Sequence, residues 1–457
     1  MIGTQLDKLL ALDPAGAEEA LALADGFDDA LVHGLARMNE AQAAAVTALA
    51  GALGASPLGP AMAEAAAKVA SGSVSEEHLA ILAGGRTAVF GAVHDALLAH
   101  LDEALGRERA AWEAAPEAAS GAALAGSRSW LQELAITGWR GVGDELVSAA
   151  DQTLETLWEA PATRGAAMLL DGLAAELRAA SPIAVMDVVP ARRWADLWAR
   201  ALLARPSAPV EDTAAETVSG RLLPLGVEVQ EHGTAVQMVM HAVLEAGGAT
   251  RLVRTSVAAP KVDTIVGPAV WRLLHRYPLF LKAVAEHRCV EVTDLRLLPG
   301  GHLVWSEEGA AIRAATDPFV TARVQLEQAT APAVPPLDRH PVRIAEPVLL
   351  EDYTVADGVL TLHGHELPVD LDRLPAGGSV TPELVAASSA CVGLLRWDGG
   401  WSLQVLGVRG KVKRTEVEAH NGDWAQGPTD PKILKAEART GDAVAVLRER
   451  AGRLLRK

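Results

Sequence analysis

Cysteine is scarce, with Cys289 and Cys391 the two examples in 457 residues. Each sits in an apolar run, which excludes a disulfide framework or a cysteine-based zinc site and reads as buried, reduced thiols in a reducing compartment. Phenylalanine and tyrosine are rarer still, 4 and 2 against 11 tryptophans, so indole rings must supply most aromatic anchoring. Residues Ala41 to Ala63 lack charge over a bilayer-spanning length. That run is mostly alanine and is broken by Ser56-Pro57-Leu58-Gly59-Pro60, so it reads as two helices joined by a turn, with no membrane span. The first twenty or so residues acquire acids early and lack a basic, then apolar, leader pattern, so a cytoplasmic protein is expected.

The readable chemical motifs are missing too. There is no GxxxxGK[ST] and no GxGxxG after a strand, which argues against a P-loop ATPase or a dinucleotide-binding fold. Gly138-Trp139-Arg140-Gly141-Val142-Gly143 has the glycines of a phosphate loop but lies between helical segments and reads as a helix–helix corner. HExxH is absent, and neither GxSxG nor SxxK occurs in a supporting context. No cofactor is expected.

What is present is an excess of acid, spread unevenly. Formal charge is −17, and residues 1–200 hold 13 Lys and Arg against 27 Asp and Glu. That half repels nucleic acid and anionic membranes. From Gly407 onward the balance reverses, with 12 basic and 7 acidic residues.

Through Arg205 apolar residues recur at helical spacing and breaks fall at Gly and Pro, predicting helices near 17–53, 60–71, 75–115, 117–137, 143–159, 161–180 and 190–204. These form an irregular bundle or an array of helical hairpins. Arg205-Pro206-Ser207-Ala208-Pro209-Val210-Glu211-Asp212-Thr213 has linker composition. Beyond it the period changes to two, with a three-stranded meander over Val227–Gln230, Thr234–Leu244 and Thr250–Val257, then helices over 264–275 and 279–287, then strands. A second Pro-rich linker, Ala331 to Pro341, leads to a strand-rich block with turns at Asp357-Gly358 and Asp398-Gly399-Gly400, and a final amphipathic helix after Pro431. The expectation is an α+β chain: an acidic helical domain at 1–205, an α+β domain at 214–330 and a strand-rich domain at 342–457, both of the latter antiparallel.

Three features are candidate functional groups. His363-Gly364-His365-Glu366 reads as a strand whose alternation places both imidazoles on one face near Asp370, either a weak metal site (His363, His365, Asp370) or an exposed strand face. Trp194 and Trp198 share a helix face, packing on the bundle or anchoring another protein. Arg450, Arg453 and Arg456 crowd the end of the last helix, either matching its dipole or offering a handle to an acidic partner, such as the acidic half of another copy. His94 and His100 lie six apart on a helix and read as surface or boundary histidines. Arg396-Trp397 is one of several Arg–Trp neighbours that read as core indoles with snorkelling arginines.

Arg192 to Leu203 (RRWADLWARALL), Gly91 to Gly106 (GAVHDALLAHLDEALG) and the closing LRERAGRLLR resemble parts of uncharacterised bacterial accessory proteins encoded beside MoxR-type ATPases and von Willebrand A proteins. No functional residue carries over from that resemblance. Together these readings describe a non-enzymatic interaction or scaffold subunit of a cytosolic multiprotein system, with protein partners and the helical half as docking surface. The alternatives are a metal-dependent hydrolase built from dispersed residues and a nucleic-acid-binding accessory protein using the basic tail.

Overall fold

Glycine decides where the first long helical segment stops. In the computed structural model, which describes residues 3–11, 14–113, 124–205, 215–262, 264–440, 444–446 and 449, the single helix expected over 17–53 is two: α2 (Ala17–His33) and α3 (Glu40–Ala52). Between them Gly34 has φ 92°. A Cβ on Gly138, itself at φ 77°, would lie 2.2 Å from the Gly34 nitrogen, so two backbones touch where only glycines fit. The second helix restarts at Asn39, which exchanges side-chain and backbone hydrogen bonds with Gln42 in a capping box.

A short α1 (Gly3–Leu10) precedes this pair, and α4 (Gly59–Ala70) follows it after the expected turn. Helix α5 (Glu76–Leu105) starts at a Ser75 cap and ends where Gly106 turns left-handed at φ 64°. The remaining helices are α6 (Ala125–Thr137), α7 (Asp144–Ser148), α8 (Ala150–Glu159), α9 (Arg164–Ala179) and α10 (Ala191–Leu203). The linker residues 206–213, the start of the helix expected from 117, and Arg450, Arg453 and Arg456 lie outside the described residues. No helix among the described residues is long and apolar enough to cross a membrane.

The named strands of the second half pair antiparallel, with isolated parallel bridges such as Arg254–His302 beside them. One sheet has β1 (Glu216–Glu231), β2 (Ala235–Ala246), β3 (Ala249–Pro260), β4 (Arg288–Leu297) and β5 (Leu303–Val304) in the order β3-β2-β1-β4-β5, with β6 (Ala310–Ala315) paired to β4. The meander is as expected, closed by Gly247-Gly248 at φ 59° and 79°. The helical interlude is a 3-10 segment (Gly267–Leu274) and α11 (Pro278–Ala285). The sequence reading placed no element over β6 and α12 (Pro318–Gln325). The latter is capped by Asp317, whose side chain accepts from the Phe319 and Val320 amides.

The second sheet, in the order β13-β12-β11-β7, comprises β7 (Glu346–Glu351), β11 (Ser388–Trp397), β12 (Trp401–Val412) and β13 (Thr415–His420). A small sheet of β8 (Thr354–Ala356), β9 (Val359–Leu362) and β10 (His365–Pro368) adjoins it, as does α13 (Pro382–Ala386), whereas Leu434 of α14 (Pro431–Thr440) lies near Trp271 and Leu281 of the helical interlude.

Two cores share α5. Its first turns bury Leu79, Leu82 and Val89 in the bundle with Trp139, Trp194 and Trp198. Its later turns bury Val93, Leu97 and Leu101 with Leu6 and Leu9 of α1 against Val348, Leu350 and Trp397 of the second sheet. Within the first stretch Arg86 is fully buried, its Nε and Nη2 donating to the Asp28 carboxylate at 2.6 and 2.8 Å. Its guanidinium also lies 4.6 Å from the Phe90 ring centroid.

Removing one partner of such a pair strands a buried charge. Arg86→Met is expected to lower unfolding free energy by about 3–5 kcal/mol in urea titrations, and pairing it with Asp28→Leu to restore most of that loss. Arg178→Ala, which breaks an exposed pair with Asp151, is expected to cost less than about 1 kcal/mol.

Candidate functional site: a polar cavity between helices and sheet

Strand alternation gives the first sheet two unlike faces. Met238, Met240 and Ala242 of β2 and Val253 and Val257 of β3 point into an apolar core. The other face is polar. The pairings Gln230↔Gln237, Glu228↔Val239, His241↔Arg254 and Val239↔Ser256 set these residues side by side. Part of this face is covered, with Glu228, Val239 and His241 buried, whereas Gln230 and Arg254 remain exposed. The face floors a cavity of about 940 Å³.

The walls come from four places. Helix α10 contributes Arg192, Arg193 and Asp196 from its first turns, α5 contributes His94 and Leu98, and the Pro-rich segment 332–346 closes another side. That segment, expected as a linker, is packed: Ala331, Ala333 and His340 are buried. The β11–β12 hairpin adds Arg396 from β11 and Asp398 from the turn.

Charges are fixed at the deep end. The Arg396 guanidinium pairs with Glu228 and its Nε donates to Gln404 Oε1 at 2.8 Å. His241 Nε2 stands 3.7 Å from the Glu228 carboxylate. Burial alone would raise the Glu228 acid, but His241 and Arg396 outweigh it and hold it down at about 2. His340 stacks on Phe90 with centroids 4.3 Å apart. Its Nδ1 accepts from the Val342 amide at 3.3 Å, an arrangement that places the proton on Nε2. Burial, helped by Arg86, Arg343 and Arg192 and opposed by Asp196, lowers His340 to about 4. Glu228, His241 and His340 are each 5% exposed, and the Nε2 atoms of both histidines have no hydrogen-bond partner among the described residues. Burial also lowers His94 and His302, with Asp95 opposing it at the first and Arg254 reinforcing it at the second.

The residues singled out from sequence lie elsewhere. His363 is not on a strand: at φ 53°, with Gly364 at 90°, it forms the two-residue turn between β9 and β10. That turn rests on α1, where a Cβ on Gly3 would meet the His363 ring at 2.7 Å and His365 Nε2 faces Asp7 at 3.5 Å. Asp370 instead accepts from Ser402 at 2.9 Å and faces Arg373. No group of three His, Cys, Asp or Glu among the described residues is arranged to hold a metal.

Trp194 and Trp198 are buried in the bundle, donating to Glu176 and to the Leu131 carbonyl, so neither ring is free to anchor a partner. His94, expected near the surface, is buried on the cavity wall because that side of α5 faces the sheets. The sequence reading passed over Glu228, His241, Arg254 and His340. For Glu228 and His241 the signal was the polar positions within 228–241, which resemble any solvated sheet face, and Arg254 and His340 lie outside that stretch. No protein-family model, curated protein or solved structure matches the chain.

The lowered His340 has a consequence for stability. Its neutral form is favoured by folding, so its contribution is fully present above the unfolded value of 6.5 and is lost as pH falls toward about 4. His340→Asn keeps an acceptor for Val342. Urea titrations at pH 7 and pH 4 should show the variant losing about 2–3 kcal/mol less than the wild type on acidification.

Proposed function

We propose that this chain is a non-catalytic binding subunit, and that its working part is the cavity between helices and sheets. The observation that carries this reading is the inward-turned polar face of β1–β3, with His340 Nε2 buried beside it and without a hydrogen-bond partner among the described residues. An unmet buried donor or acceptor costs about 1–3 kcal/mol, which a bound molecule's own polar groups offset. The volume suits a ligand of metabolite size, since such sites typically enclose roughly 300–1,000 Å³.

Binding fits the electrostatics better than proton transfer does. A general acid or base works best with a pKa near the operating pH. Here Glu228 is held at about 2 and His340 at about 4, each locked in one form at neutrality. The Cys391 thiol, buried and pushed well up by that burial, is not a nucleophile at neutral pH.

The two buried thiols suit a reducing cytosol, where a ligand-binding subunit of a multiprotein system would work. The resemblance of residues 192–203, which form α10, to accessory proteins encoded beside MoxR-type ATPases fits that role. Helix α10 belongs both to the bundle core and to the cavity wall, so occupancy of the cavity is coupled to the helical half that meets the protein partner.

Ser256→Trp fills the cavity floor, and the Ser256 hydroxyl makes no hydrogen bond among the described residues that the change would remove. After equilibration with a small-molecule cell extract, mass spectrometry of the wild type should show at least one compound enriched about tenfold. S256W, melting within about 2 °C of wild type, should retain none of it. No enrichment, or equal retention by S256W, contradicts the cavity reading.

A further inference from the structure

We infer that the cavity ligand is an anion, and that its carboxylate or phosphate group is held by Arg254 with His241, His302 and Ser256. This rests on the binding reading given above and adds the chemical class of the ligand.

Among the described residues, the cavity is lined by seven arginines and five carboxylates. Six of those arginines face an acid: Arg396 faces Glu228, Arg343 faces Asp338 at 2.9 Å, and Arg192 faces Asp25 at 2.8 Å, while Arg109, Arg193 and Arg373 are paired in the same way. Arg254 differs. Its side chain makes no ion pair or hydrogen bond among the described residues.

An exposed, solvated arginine is commonplace on a convex surface. Arg254, although exposed, stands instead on the floor of a concavity, and the residues set beside it there are not acids. Across the strand pair is His241, and two residues along β3 is Ser256. Alongside, the backbones of Arg254 and His302 form a bridge, with the Arg254 amide donating to Gly301 at 2.9 Å. Glu228, the carboxylate on the floor, is opposite Val239 rather than Arg254, and its charge is met by Arg396 and by His241 Nε2 at 3.7 Å, which leaves the other imidazole nitrogen of His241 for a ligand.

The result is a cation flanked by two imidazoles and a hydroxyl, all able to donate to an oxyanion. An arginine fork matches the two oxygens of a carboxylate or phosphate. The field of Arg254 already acts on His302, which it helps burial to depress. Gln230 and Gln237, paired across β1 and β2 on the same floor, would meet neutral hydroxyl or amide groups on the rest of the molecule.

The test uses inorganic phosphate and citrate at about 10 mM with ionic strength held constant by potassium chloride, reading melting temperature and calorimetric affinity. Wild type should be stabilised by about 2 °C or more over chloride by one of the two, and which one identifies the oxyanion. Arg254→Gln should weaken that binding about tenfold, whereas Arg178→Gln should leave it unchanged. Stabilisation by neither anion, or equal affinity in R254Q, overturns the inference. The two readings fail separately: if R254Q keeps the extract compound that S256W loses, the anion site is wrong and the cavity stands. If both variants keep it, both readings fall.

Discussion

Helix α5 belongs to two hydrophobic cores at once, and the rest of the molecule is arranged around that constraint. At about 1.5 Å per residue its 30 residues run about 45 Å, long enough for one end to pack in the bundle and the other on the second sheet. Buried ion pairs lock both ends. Near the start, Arg86 holds Asp28 of α2. Past the end, Arg107 and Arg109 both reach Glu346 at the start of β7, at 3.1 Å each, and Arg109 also grips Asp102 at 2.7 Å. Burial works against the Glu346 charge, but the two arginines overcome it and keep the carboxylate ionised. The helical half and the sheets are therefore set at a fixed separation.

That separation leaves room where α5 and α10 stand over the meander. A sheet face turned toward such a space would ordinarily be apolar and would draw the helices down onto it. Here it carries Glu228, Gln230, Gln237, His241, Arg254 and Ser256. Desolvating those groups against helix side chains would cost more than apolar contact returns. The polar floor and the bracing of α5 thus have a single effect, which is to keep the space open. The contact of Phe90 with both Arg86 and His340 links the buried ion pair of the bundle to the cavity wall.

Much of this architecture was legible in the sequence. Helical period up to Leu203 and period two beyond it gave the class, and Asp357-Gly358 gave its hairpin because a two-residue turn demands left-handed backbone. What could not be read was tertiary. The break at Gly34 depends on a second glycine a hundred residues on, and His363-Gly364-His365 hides a turn inside an apparently alternating strand. The cavity was invisible for a related reason: a polar alternating strand looks the same whether water or an enclosed ligand lies over it. Trp194 and Trp198 were ambiguous because a helix face bearing two indoles serves a core and an interface equally well.

The central claim is that the space between α5, α10 and the β1–β3 floor is a ligand site. The most direct measurement is a crystal structure of the protein taken gently from its own cell extract, without exhaustive dialysis. The account predicts non-water density in the cavity, with a tetrahedral or planar acidic group against Arg254 and a polar atom within hydrogen-bond reach of His340 Nε2. A cavity holding ordered water alone, or one closed by side chains folding into it, would contradict the account.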